Sequence, residues 1–158
     1  MLAPLVVILL AFAAKRDKHP EHFVFDGENS LSAEEEMRLD TLFRGHELRT
    51  TNEIVLITTP DYHGAMDMRT FAATCGDSLR VGKKGKNNGV IITFSRKLRE
   101  VYIATGLGTE YVMNDGHCQH IIDSLMLPRF KEQRFFDGLF DGGKAIVDHL
   151  EKPENAIR

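Results

Sequence analysis

Four oxygen-bearing side chains stand near glycines where elements begin or end. They are Asp26 after Phe23-Val24-Phe25, Asn87 and Asn88 before Gly89, and Glu110 after Thr105-Gly106-Leu107-Gly108-Thr109. Hard cations such as Ca²⁺ and Mg²⁺ are held by carboxylate, amide and carbonyl oxygens. Glycine-rich loops expose carbonyls, and loops at one edge of an open α/β sheet converge on a crevice. These loops are therefore compatible with a divalent-cation site. Turns are also rich in Asp, Asn and Gly for purely local reasons, so an ordinary turn reading stands beside the metal reading. Arg80, Lys83, Lys84 and Lys86 precede the amide pair. Such a run attracts phosphate or an anionic surface, or simply solvates a connection.

Other chemistries find less support. Cys75 and Arg80 are one residue too close for the Cys/Arg loop of tyrosine phosphatases, and Cys75 falls on an apolar stripe, as a buried thiol does. Gly106 and Gly108 lack the third glycine of a dinucleotide fingerprint, because Tyr111 stands there. No phosphate-binding Walker loop and no nucleophile elbow occur. His117, Cys118 and His120 crowd one short stretch but lack the second ligand cluster that a structural zinc needs, so a helix face is the better reading. A net charge of −3 gives no footprint for nucleic acid, and two cysteines in 158 residues exclude a disulfide scaffold.

The elements that must position these residues follow from the hydrophobic pattern. Phe23 to Phe25 reads as an edge strand. Ser32 and Glu35 form a capping box, opening a helix to about Arg49 with Leu39, Leu42, Phe43 and His46 on one face. Ile54 to Ile57 is apolar without alternation, as in a strand buried on both sides. Met68, Phe71, Ala72, Cys75 and Leu79 form a second helical stripe. Val90 to Phe94 is a strand, and Glu100 to Ala104 is its hairpin partner across a charged turn. Thr105 to Glu110 reads as a glycine loop. A helix near Asp115 is expected to end at Pro128, and a last helix runs from about Phe136 to Leu150. The order β-α-β-α-β-β-α-α predicts a three-layer α/β/α sandwich around a mixed, Rossmann-like sheet with one hairpin.

Residues 2–14, LAPLVVILLAFAA, are apolar and shorter than a spanning helix, and Ala11-Phe12-Ala13 resembles a leader cleavage site. A cationic start is missing, and Lys15, Arg16 and Lys18 follow the apolar run. The expectation is a signal peptide or N-terminal membrane anchor over 1–14 and a polar linker over 15–22. One domain over 23–150 and a short tail over 151–158 follow.

The order and spacing of several motifs resemble a known family. They are Val24-Phe25-Asp26, Leu31-Ser32-Ala33-Glu34-Glu35-Glu36, the Ile54–Ile57 strand, and Val81-Gly82-Lys83-Lys84-Gly85-Lys86-Asn87-Asn88-Gly89-Val90. Thr105-Gly106-Leu107-Gly108-Thr109-Glu110 and the stretch from Pro128-Arg129-Phe130 to Gly138-Leu139 complete the set. Together, over about residues 22–150, they resemble the TPM domain family. That family includes a plant thylakoid-lumen phosphatase-like protein, a photosystem II repair protein and a worm receptor modulator. The resemblance implies an α/β/α fold and an exported or membrane-anchored domain of the cell envelope, with an envelope or membrane protein as partner. It also implies Ca²⁺ or Mg²⁺ binding at Asp26, Asn87 and Glu110, with Asn88 a weaker candidate. Asn87 stands where the family often has Asp, and Leu107 where it usually has an aromatic residue. Three functions remain open: a cation-binding accessory module, a metal-dependent acid phosphatase, and a metal-independent protein-interaction domain.

Overall fold

The capping box forms as read. The Ser32 hydroxyl accepts from the Glu35 N–H at 3.3 Å, and the Glu35 carboxylate accepts from the Ser32 N–H at 2.7 Å. The computed structural model describes residues 22–157. The apolar segment 2–14 and nearly all of the linker lie outside the described residues, and so do the expectations placed on them. Among the described residues no helix is long and apolar enough to cross a membrane.

In chain order the elements are β1 (Val24–Asp26), α1 (Ala33–Thr50), β2 (Glu53–Thr58), α2 (Met68–Leu79), β3 (Gly89–Ser95) and β4 (Glu100–Thr105). Then come α3 (Leu107–Glu110), α4 (Asp115–Ile121), a π-helical turn (Ile122–Met126), α5 (Leu127–Lys131), α6 (Phe135–Leu150) and a final 3₁₀ turn (Pro153–Asn155). The sheet order is β1-β2-β3-β4. The first three strands are parallel, and β4 returns antiparallel to β3 as the expected hairpin. Every residue of β2 and β3 is buried, which explains why these strands show no polar alternation.

Side-chain parity on β3 fixes the layers. Ile91 meets α2 at Gly76, where an added Cβ would lie 2.8 Å from Ile91 Cδ1. Phe94 packs on Phe130 of α5, ring centres 4.8 Å apart. Residues three apart on a strand point to opposite faces, so α2 covers one face and the α5–α6 segment the other. Helix α1 joins the second layer, where Phe43 lies against Gly143 of α6. The molecule is the expected α/β/α sandwich with a mixed sheet.

Two local expectations need correction. The stretch Thr105–Glu110 is not all loop: Gly106 caps one helical turn, α3, directly after β4. Nor does Pro128 end a helix, because the helical path runs on to Lys131. The preceding π turn, in which the Leu127 N–H donates to the Ile122 carbonyl, breaks the regular α ladder that a proline ring would otherwise collide with.

Candidate functional site

Strand register decides which candidate residues meet. Asp26 pairs with Thr58 at the carboxyl ends of β1 and β2, whereas Gly89 pairs with Glu53 at the amino end of β2. Those two ends are about 16 Å apart at the usual rise of about 3.3 Å per residue. A single cation therefore cannot touch both Asp26 and the asparagines. The expected ligand set Asp26, Asn87, Asn88 and Glu110 is divided between opposite edges of the sheet. The signal was in the sequence: Asp26 follows one parallel strand and Asn87 precedes another.

At the carboxyl edge, Asp26 is a loop cap. Its Oδ1 accepts from the Ser30 N–H at 3.0 Å and from the Thr58 hydroxyl, and its Oδ2 accepts from the Leu31 N–H at 2.9 Å. These bonds hold the connection into α1. Glu36, in the first turn of α1, is pushed above the usual carboxylate range by burial and then by the nearby Asp26 charge. Glu28, which composition did not single out, does parallel work. Its carboxylate accepts from the N–H groups of Arg96 and Lys97, both at 2.8 Å, and so fixes the β3–β4 turn.

At the amino edge, Asn88 is buried and structural. Its Oδ1 accepts from the Lys83 N–H at 2.8 Å, and its Nδ2 donates to the Thr51 carbonyl at 3.0 Å and to Asn52 Oδ1 at 2.9 Å. Both ends of the amide are engaged and the side chain is fully buried, away from solvent cations. Asn87 and Glu110 are exposed. Their backbones meet through α3, where the Gly108 N–H donates to the Asn87 carbonyl at 3.0 Å. The approach needs glycine: a Cβ on Gly106 would collide with the Asn87 carbonyl, and one on Gly108 with the Lys86 carbonyl. The Gly-Leu-Gly sequence is therefore a backbone-packing device rather than a phosphate cradle. It locks α3 in place with Leu107 and Tyr111 turned outward, 71% and 93% exposed. Beside them a cleft of about 350 Å³ opens toward α2, lined by Ala72, Gly76, Asp77, Asn87, Thr105 and Leu107. The Thr109 hydroxyl beneath is the one buried side-chain polar atom among the described residues with no hydrogen-bond partner.

The basic loop is largely committed. Lys83 Nζ lies 2.7 Å from Glu47 Oε1 and 2.8 Å from Glu53 Oε1, and Glu47 is only 1% exposed. Burial works against the lysine charge, but the two carboxylates outweigh it and hold the ammonium above the ordinary lysine range. This triad ties the loop to α1 and β2 and leaves Lys83 little reach toward a phosphate. Lys86 donates to the Thr51 hydroxyl at 3.2 Å. Neither thiol is poised as a nucleophile: burial pushes Cys75 up to about 12 and Cys118 up to about 11. His117 stacks on His149, ring centres 3.9 Å apart. His149 Nε2 donates to the Val112 carbonyl at 2.6 Å. Among the described residues no group of three or more His, Cys, Asp or Glu could hold a metal ion. Asn87 and Glu110 supply one amide and one carboxylate, where Ca²⁺ takes about six to eight oxygens.

Solved structures of the same shape exist. The N-terminal domain of a P. gingivalis protein is 25% identical, with 87% of each chain covered and a TM-score of 0.75. The BA42 protein of the psychrophilic bacterium Bizionia argentinensis is 23% identical over 81% of this chain and 90% of its own, with a TM-score of 0.68. The N-terminal domain of the cg2496 protein of Corynebacterium glutamicum shares the fold at 10% identity, with a TM-score of 0.65 over 85% of this chain and 83% of its own. No curated protein matches the chain. The TPM domain matches residues 24–149, nearly the whole described fold, and the chain belongs to the TPM domain family.

Proposed function

We propose that this TPM domain is a non-catalytic binding module of the cell envelope whose recognition edge is α3 and the cleft beside it. The observation that carries the reading is the outward pair Leu107 and Tyr111. They stand one helical turn apart on a backbone locked by Gly106 and Gly108. Large side chains held rigidly beside a cleft are what protein interfaces use as anchors, because little conformational freedom is lost on binding. The envelope location rests on the apolar 2–14 segment and on the family resemblance. The raised thiols and the pairing of Lys83 with Glu47 and Glu53 argue against phosphoester hydrolysis at this edge, where neither a poised thiol nor a free lysine of that loop faces the cleft.

A second reading concerns the cation. Asn87 and Glu110 flank this edge, and neither side chain has a hydrogen-bond partner among the described residues. A Ca²⁺ or Mg²⁺ bound there would keep most of its water and would tune the edge rather than build it. Asp26 takes no part.

The test is retention of an envelope partner by the immobilised chain, compared with Leu107→Ser and Tyr111→Ser, with and without chelator. Retention by the parent chain, lost in both variants and indifferent to chelator, is expected. Loss on chelation alone favours the cation reading. Retention that survives both substitutions removes this edge from consideration. Hydrolysis of a phosphomonoester that disappears in Asp26→Ala overturns the non-catalytic reading.

A further inference from the structure

A second cleft lies at the opposite, carboxyl edge of the sheet, away from the recognition edge proposed above. Its volume is about 530 Å³, within the usual range for small-ligand sites of about 300–1,000 Å³. The floor is aromatic. Phe94 lies 4.8 Å from Phe130 and 5.7 Å from Phe135 between ring centres. The rim is cationic: Arg96 and Arg99 from the β3–β4 turn, and Lys131 from the end of α5.

None of these three cations has a salt-bridge partner among the described residues, while neighbouring Arg129 and Arg134 are both paired with carboxylates. Glu100 is the one carboxylate on the lining, and it accepts from the Tyr62 hydroxyl at 2.7 Å. A chain of net charge −3 thus carries a local excess of positive charge over an apolar floor. The Arg96 guanidinium lies over the Phe135 ring, 4.9 Å from the ring centre. Contact with an aromatic face holds the charge at the cleft while leaving its N–H donors for an incoming anion.

The backbone at this rim also departs from relaxed geometry. Arg99 and Gln133, both on the lining, hold φ of +59° and +60°. These are left-handed values that favour glycine, and such departures gather at binding sites. The π turn just before α5 sets the path that carries Phe130 and Lys131 to the cleft.

We infer that this cleft binds an organic carboxylate with an apolar body, the body seated on Phe94, Phe130 and Phe135 and the carboxylate held by Arg96 and Arg99. A planar carboxylate matches the guanidinium fork. A phosphate would call on backbone N–H donors as well, and those of Arg96 and Lys97 are already taken by Glu28. Two sources share the chemistry: a free aromatic or fatty acid, and the C-terminal carboxylate of a peptide ending in a large apolar residue.

The experiment is a titration of the full chain followed by its backbone amide resonances. The probes are phenylacetate, octanoate, a short peptide ending in Phe with a free carboxylate, the same peptide as its amide, and sulfate. The acids are expected to shift residues 94–101 and 127–135, while the amidated peptide and sulfate leave them in place. Arg99→Gly is expected to weaken acid binding about tenfold or more, the usual weight of a hydrogen bond to a charged group. That variant fits the left-handed backbone, so misfolding does not confound it. Phe135→Ala is expected to weaken octanoate and the free-acid peptide together. Tighter binding of the free-acid peptide than of phenylacetate or octanoate identifies a chain terminus as the source, and the reverse identifies a small acid. Equal binding of acid and amide, equal competition by sulfate, unchanged affinity in Arg99→Gly, or no shift with any probe at millimolar concentration overturns the inference.

Discussion

Asp26 illustrates how one residue type supports two readings until its neighbours are known. A carboxylate that already accepts from two backbone N–H groups and a threonine hydroxyl is a structural cap. Removing it leaves those donors unsatisfied, which costs about 1–3 kcal/mol for a partly buried group. Asp26→Ala is therefore expected to lower the melting midpoint by several degrees, yet to leave any Ca²⁺-induced rise in that midpoint unchanged. Glu110→Gln is expected to do the opposite: little effect alone, and loss of the Ca²⁺ response. Melts of the three proteins with chelator and with millimolar Ca²⁺ check both, and a Ca²⁺ response lost only in Asp26→Ala would return that residue to the ligand set. The residue types were legible in the sequence, because Asp, Asn and Glu near glycine mark turns and oxygen-rich loops alike. Which of them share space was not legible from composition. Asn88 could not be recognised as buried, since its partners Thr51 and Asn52 lie far back along the chain.

Elements were easier to read than sites. The capping box, the two apolar strand runs and the hairpin depend on nearby residues, so local pattern decides them. Gly142 and Gly143 let α6 lie close against the π turn and α1. A Cβ on Gly142 would collide with the Met126 side chain, and one on Gly143 would come within 3.0 Å of the Phe43 ring. Overpacking of this kind typically costs about 1–3 kcal/mol, despite the better helix propensity of alanine. Gly142→Ala is expected to destabilise the chain within that range. Gly64→Ala, at an exposed loop position with open space around it, tests something else: its φ of +89° makes any loss there purely conformational. Chemical denaturation of both variants separates packing from backbone strain, and a stable Gly142→Ala would mean that Met126 moves aside freely. Two features escaped local reading. Pro128 looked like a helix stop because the π turn that accommodates it has no sequence signature of its own. The single turn of α3 is too short for periodicity to reveal.

At the scale of the whole molecule, helix α1 and the α4–α6 layer are joined through histidines, and this predicts how the protein responds to acid. His46 is fully buried on α1, with its Nδ1 2.9 Å from the Glu151 carboxylate at the end of α6. Burial holds His46 below the ordinary histidine range, and the Glu151 hydrogen bond and charge only partly oppose it. His117 is lowered too, by burial first and then by its stacked neighbour His149. For a histidine lowered in this way, the unfolded chain binds the proton more readily than the folded one. The stabilising contribution is thus fully present above the unfolded value of about pH 6.5 and is lost as pH falls through the lower folded value. Glu36, raised by burial and by Asp26, has the opposite sign and acts at lower pH, in the carboxylate range. The melting midpoint is therefore expected to be flat from about pH 7 to 8 and to fall between about pH 6.5 and 5, ahead of general carboxylate protonation. His117→Gln removes one stacked, proton-accepting ring while keeping the outer end of α4 polar, so it is expected to shrink that fall. A midpoint that holds steady to about pH 5, or a fall of undiminished size in the variant, would mean that His117 takes its proton by moving away from the His149 ring. None of this coupling was visible along the chain, because His46 and Glu151 are 105 residues apart. It exists only once the hairpin and the final helix have brought both ends of the domain into one layer.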